Sequence, residues 1–212
     1  MRKFKGLKKA TAITCALSMV VAGLPISSSV FAATEEQKSM VADATKNLAL
    51  SKETSLFPEV AEGVQERLND GKLKADVNGD AHCALSKKGW GYSGESYAII
   101  DLGDYYDAST IEQVLVQYKD AADNDTCIGR GYEIQFSTDN VKWTTVASAG
   151  TDVKFDEDNC TVDDIATTGA VRYVRAYYPT TATYGIQITE IAVLDTNGDA
   201  KTVEVSHCEN AA

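Results

Sequence analysis

An all-β fold in one domain, an antiparallel sandwich or barrel, is what this sequence predicts, and three observations predict it. Runs rich in β-branched and aromatic residues recur at Tyr97–Leu102, Ile111–Tyr118, Tyr132–Ser137, Thr144–Ala147, Val171–Tyr178 and Ile186–Leu194. Clusters of Gly, Asn and Asp separate them, with no helical periodicity in between. The stretch from residue 33 to 212 has length for one domain with a real core, and too little for two ordinary ones.

Residues 1–32 are set apart from that domain. Arg2, Lys3, Lys5, Lys8 and Lys9 precede an apolar run from Ala12 to Ile26, and a polar stretch then ends Val30-Phe31-Ala32. The pattern predicts a secretory signal peptide cleaved after Ala32. The run is short for a membrane span and no second one follows, so the expectation is a secreted, extracellular protein with no membrane insertion after cleavage. Cys15 lies at the start of the run, a poor place for lipid attachment.

The leader holds five of the twenty Lys and Arg residues, which leaves 15 against 31 Asp and Glu, a net charge of −16. Nucleic acid and anionic membranes both need a positive face, so neither is an expected partner. Neutral ligands and divalent cations suit the charge. Four cysteines remain, Cys83, Cys127, Cys160 and Cys208. In an exported chain they predict two disulfides, with three connectivities open, and none has zinc-type spacing.

Residues 33–46 are polar and Ala-rich and read as a short helix or linker. Residues 47–196 form the domain proper, and 197–212 a C-terminal strand or tail. One hairpin is legible in detail: Tyr132, Ile134 and Phe136 alternate with Glu133 and Gln135, and Ser137-Thr138-Asp139-Asn140 supplies turn chemistry before Trp143. Tyr132, Ile134 and Phe136 should face the core, with Trp143 a cover over the hairpin's end rather than a ligand platform. In the last strand Ile186 and Ile188 share one parity, Ile191 and Val193 the other, which predicts a bulge near Thr189 and Glu190. If the first register holds to that point, Glu190 faces the interior with Ile186 and Ile188. A buried carboxylate there needs a cation or hydrogen-bond donors.

An ordered set of segments resembles the coagulation factor 5/8 type C (discoidin-like) domains, and most closely carbohydrate-binding module family 32. The set runs from Asn47-Leu48-Ala49-Leu50-Ser51-Lys52 through Asn69-Asp70-Gly71-Lys72 and Ile100-Asp101-Leu102-Gly103. It continues with Tyr132-Glu133-Ile134, Ser137, Asp139 and Trp143, then Arg172-Tyr173-Val174-Arg175, and closes on Ile188-Thr189-Glu190-Ile191-Ala192-Val193. The resemblance implies a galactose-binding-like jelly roll, an antiparallel β-sandwich of eight strands. It also implies one structural Ca²⁺ and a ligand site among loops at one end.

For the calcium site the resemblance implies Asp70 and Glu190, with carbonyls from near Arg67, Lys72 and Ala75; such a mixed oxygen set suits the ion. Where the family often has a Thr, this chain reads Lys74-Ala75-Asp76, and Asp76 is the candidate replacement. The competing reading is a carboxylate satisfied by a nearby Arg or Lys. Two texts, Asp76-Val77-Asn78-Gly79-Asp80-Ala81 and Asp195-Thr196-Asn197-Gly198-Asp199-Ala200, look like the first half of an EF-hand loop. Both lack its second half and read better as Asn-Gly turns with solvated acids.

A sugar site pairs an aromatic face, which stacks on pyranose C–H groups, with polar groups that bond to hydroxyls. Three loops offer these: Trp90 and Tyr92 between Asp70 and Tyr97, Arg130 between Asp120 and Gly131, and Tyr178 with Tyr184 before the last strand. Trp90 reads equally well as a packed loop tryptophan, and Arg130 as a partner for the many acids. Arg172 and Arg175, inside a strand, read as structural. No nucleophile motif surrounds His82 or His207, so no catalysis is expected. The partners expected are glycans of galactose or N-acetylhexosamine type, with surface proteins, as for an adhesion module, the alternative.

Overall fold

The structure, a computed structural model, describes residues 33–58, 60–63, 65–73, 83–85, 94–119, 131–150, 153, 159–179 and 186–205. Its strands are β1 (Glu53–Phe57), β2 (Val60–Gly63), β3 (Cys83–Leu85), β4 (Ser96–Asp107), β5 (Gln113–Tyr118), β6 (Tyr132–Ser137), β7 (Thr144–Ala149), β8 (Cys160–Asp164), β9 (Ala170–Tyr178) and β10 (Ile186–Leu194). They form two five-stranded sheets, ordered β1-β4-β9-β6-β7 (sheet one) and β2-β3-β10-β5-β8 (sheet two). Every pairing is antiparallel. The sandwich is the predicted class; among the described residues ten strand segments stand where the resemblance implied eight.

Alternation builds the core. Tyr132, Ile134 and Phe136 of β6, Ala98 and Ile100 of β4, and Val174 and Ala176 of β9 face Val114 and Val116 of β5 and Ile186, Ile188, Ile191 and Val193 of β10. The β6–β7 turn closes as its residues suggest. Ser137 Oγ accepts the amides of Asp139 and Asn140 at 3.2 and 3.0 Å, and Asp139 Oδ1 those of Val141 and Lys142 at 2.9 and 2.7 Å.

The stretch 33–46 holds one helix, α1 (Glu35–Val41), started by a capping box: Thr34 Oγ1 accepts the Gln37 amide, and Gln37 Oε1 accepts the Thr34 amide. Met40 and Val41 pack with Leu115, Val162, Ala192 and Leu194 on the outer face of sheet two. That cover explains why all nine residues of β10 are buried. Asn47 ties this N-terminal segment to β10, its Nδ2 donating to the Val41 carbonyl and its Oδ1 accepting from Ala49 and Val193.

The β10 bulge falls between Ile188 and Glu190. Because it comes before Glu190, that residue pairs with Gln117, whereas Ile188 pairs with Tyr118. Glu190 therefore lies on the face of Ala192 and Leu194, not with Ile186 and Ile188 as the uninterrupted register predicted. It is buried all the same, with 0% exposure, because the segment 65–73 covers that face of β10.

Candidate functional site

Glu190 meets the Asp-Gly turn of that covering segment. Asn69, buried, holds the turn by donating to the carbonyls of Ala49 and Lys52 at 2.6 and 3.0 Å. Gly71 then donates its amide to Glu190 Oε2 at 3.1 Å, while Glu190 Oε1 is buried with no hydrogen-bond partner among the described residues. Burial first, and the negative charge of Asp70 second, push the Glu190 carboxyl up to about 9, against the pull of the amides of residues 70–72.

Asp70 is placed differently. Its Oδ2 accepts from Arg67 Nη1 at 2.7 Å and its Oδ1 from the Lys72 amide at 3.0 Å. The competing reading thus holds for Asp70, whose partner is an arginine, and not for Glu190, which has no cationic partner among the described residues. Ala75 and Asp76 lie outside the described residues. Among the described residues no three His, Cys, Asp or Glu side chains converge. A hard cation here would draw on these two carboxylates and on main-chain carbonyls, a set that calcium accepts and zinc does not.

The turn's geometry makes Gly71 a sensitive position. It has φ of +78°, and a Cβ there would lie 2.7 Å from Leu50 Cδ1 and 3.2 Å from the Ala42 Cα. Gly71→Ala is expected to cost about 1–3 kcal/mol from strain and overpacking combined. Thermal melting checks this; an unchanged midpoint would mean the turn gives way freely.

The second EF-hand-like text is a turn, but its first acid is not solvated. Asp195 is fully buried, and its Oδ1 accepts the amides of Asn197 and Gly198 at 3.1 and 3.0 Å. Backbone donors thus fill the carboxylate. The first such text, at 76–81, lies outside the described residues.

The strand registers bring one end of the sandwich together. Tyr178 pairs with Ser96, Tyr177 with Glu133, Tyr132 with Ala149, Gln117 with Cys160, and Ile186 with Leu85. The chain segments after β3, β5, β7 and β9 therefore all leave from this end and return to it. Trp90, Tyr92, Arg130 and Tyr184 belong to three of those segments and lie outside the described residues, as do Cys127 and Cys208 and the side chain of Cys83. Cys160, at the start of β8, is fully buried.

Tyr178 is described, and it corrects the expectation. It is fully buried, with its hydroxyl 2.8 Å from that of Tyr118 and its ring tilted against Tyr132. Tyr132 in turn donates to buried Asp163 at 2.7 Å. The parity of β9 turns Tyr178 inward with Val174 and Ala176, so it is a core residue and not a stacking platform. Burial raises all three phenols.

Of the two arginines read as structural, Arg172 is paired in a fork with Asp101, Nε to Oδ1 and Nη2 to Oδ2, both at 2.9 Å, which lowers the Asp101 carboxyl. Arg175 is different. It stacks at 4.1 Å on the ring of Trp143, which is thus no simple hairpin cover. Sequence reasoning missed this cluster because its members lie on three separate stretches of chain.

No protein-family model matches the sequence, and no curated protein matches it. Solved structures do. The C-terminal domain of a chitobiase from Bacteroides fragilis superposes with a TM-score of 0.55 at 16% identity, covering 75% of this chain and 99% of that one. The lectin domain of lectinolysin, complexed with Lewis B antigen, gives 0.52 at 16%, covering 70% and 95%. A Streptococcus pneumoniae fucose-binding module gives 0.51 at 18%, covering 69% and 96%. The chain therefore has the discoidin-like, galactose-binding-type sandwich fold that carbohydrate-binding modules and lectin domains use.

Proposed function

We propose that this chain is a secreted, non-catalytic carbohydrate-binding module that holds one structural calcium ion and recognises glycans through its loop end. The observation that carries the reading is the convergence of strand ends, which gives the segments bearing Trp90, Tyr92, Arg130 and Tyr184 a common exit. Stacking aromatics beside a hydrogen-bonding cation are what a pyranose requires. Two neighbours in fold are a fucose-binding module and a lectin domain carrying Lewis B antigen, which supports a glycan as the ligand class by analogy of fold. Galactose or N-acetylhexosamine is the sugar type we assign.

Calcium is supported by the partnerless oxygen of Glu190. Glu190 and Asp70 would hold the ion with carbonyls near Arg67, Lys72 and Ala75, and Asp76 would complete the set. The ion would neutralise two neighbouring carboxylates and pin the 65–73 segment to β10. Its role is to fix the frame from which the loops depart. The leader at residues 1–32 supports secretion.

A glycan array on the purified protein, with calcium and then with a chelator, tests the reading. Binding to terminal galactose or N-acetylhexosamine is expected. Absence of binding across the array, alongside capture of a defined surface protein that sugars do not displace, would replace it with an adhesion module.

A further inference from the structure

The outer face of sheet one carries a second set of ligand-type groups. Cross-strand pairing lines up Phe57, Tyr97, Tyr177 and Glu133 in one row, and Ser55, Ile99, Arg175 and Gln135 in the next. Outer faces of sandwiches are ordinarily polar, so an aromatic row with an arginine beside it calls for a cause. Phe57 stacks on Tyr97 with centroids 5.2 Å apart. The Arg175 guanidinium lies 4.1 Å from the Trp143 ring centre, 5.0 Å from that of Tyr177 and 5.2 Å from that of Tyr97.

Arg175 is held but not used up. Its Nε donates to Gln135 Oε1 at 2.7 Å, and among the described residues no acceptor takes its two terminal amino groups. Two carboxylates stand near it. Glu133 Oε2 accepts from Gln135 and Thr145, each at 2.6 Å, and Glu95 Oε2 accepts from Tyr177 at 3.1 Å. Beside Ile99, the register partner of Arg175, runs a groove of about 270 Å³, lined also by Ser55, Tyr173, Glu53, Asn140 and Asp101, the last already paired with Arg172.

The charges choose the ligand. An anion would meet the guanidinium but also Glu53, Glu95 and Glu133, in a chain of net charge −11. A cation would meet Arg175. A neutral pyranose satisfies both kinds of group, because its hydroxyls accept from Arg175 and Asn140 and donate to carboxylates and Ser55. Its C–H face suits an apolar floor of Ile99 and an aromatic wall. We propose that this groove and Arg175 form a second glycan subsite for a neutral pyranose unit, on the sheet face and separate from the loop end. The proposal rests on the glycan-binding reading for its ligand class alone.

The two tryptophans separate the sites, since Trp90 belongs to a loop-end segment and Trp143 stacks on Arg175. In ¹⁵N-labelled protein, the indole N–H signals are followed while lactose, N-acetyllactosamine, chitotriose and cellotriose are titrated in turn. At least one sugar is expected to move the Trp143 signal to saturation. Arg175→Lys and Asn140→Gly should each weaken that response by about tenfold, the loss expected for a charge-assisted or well-placed hydrogen bond. The Trp90 response should stay as it was.

Asn140→Gly keeps the test alive if Arg175→Lys fails to fold, because Asn140 is exposed with φ of +58°, which glycine adopts freely. Movement of Trp90 alone overturns the subsite and leaves the proposed function standing. Movement of Trp143 alone supports the subsite and overturns the loop-end site. Silence of both, or a Trp143 response that both folded variants retain unchanged, overturns the subsite. So does tighter binding of galacturonate or glucosamine than of the neutral sugars.

Discussion

Calcium is expected to raise the melting temperature of the wild-type protein and to leave that of Glu190→Gln unchanged, while in chelator at pH 8 the variant should melt no lower than the wild type. The argument is one of protonation. In the metal-free fold the Glu190 carboxyl sits at about 9 against an ordinary 4.5, so between those values the folded chain binds a proton that the unfolded chain has released. Stability from this group is full below the unfolded value and is lost as pH rises toward 9. From pH 5 to 7 the loss is about 3 kcal/mol, at 1.36 kcal/mol per unit, or roughly 6–12 °C for a domain of this size.

The proposed calcium ion would reverse the sign, because it would take the carboxylate and exclude its proton. Its stabilisation should therefore be larger at pH 8 than at pH 5. Glutamine imitates the protonated side chain and offers the ion a weaker ligand, so both slopes should vanish together. Carboxyls that the fold lowers, such as Asp101 and Asp139, lose their contribution only as pH falls through the acid range and leave the window from pH 5 to 8 alone. A wild-type melting temperature in chelator that does not fall from pH 5 to 8, or a variant that still responds to calcium, would sink this account.

The elements legible in the sequence are those whose period declares them. Tyr132, Ile134 and Phe136 alternate over a whole strand, and the parity change in β10 marked its bulge to within a residue. It did not say on which side of the bulge Glu190 falls, since that depends on Thr189 and Glu190 sharing Gln117 across the sheet. The strands that escaped notice are short or mixed: β1 is Glu53–Phe57, β2 Val60–Gly63 and β3 Cys83–Leu85, and β8 ends in Asp163 and Asp164. Asp163, buried in β8, accepts a hydroxyl from Tyr132 of the other sheet, a partner that the local sequence does not announce. The predicted strand at Tyr97–Leu102 runs on to Asp107, past Gly103 at φ of +83°, because the irregular stretch between Asp101 and Tyr106 resets the register.

The candidate site divides in the same way. The Asn69-Asp70-Gly71 turn and Glu190 are 119 residues apart along the chain, and only the family resemblance joined them beforehand. Arg175 looked structural because a lone arginine in a strand carries no sign of its neighbours. Its rings come from β4, from the β6–β7 turn and from β9, and only the sheet order places β9 between β4 and β6.

Tyr178→Ala should unfold the protein long before it affects any ligand. The side chain fills the core between Tyr118 and Tyr132, and truncating a buried aromatic costs about 3–5 kcal/mol, roughly 6–20 °C in melting temperature here. Tyr178→Phe keeps the ring and removes the 2.8 Å contact between hydroxyls, for about 1 kcal/mol. The pair of variants separates two roles that one alanine would confound. A core residue gives a large loss for alanine, a small one for phenylalanine, and unchanged glycan binding in the folded phenylalanine variant. A ligand residue would give the opposite, a phenylalanine variant that melts like the wild type and no longer binds. Tyr178 precedes the segment that carries Tyr184, so the second outcome would mean that the end of β9 opens when a sugar arrives; the tilted stack on Tyr132 and the bond to Tyr118 argue that it stays closed.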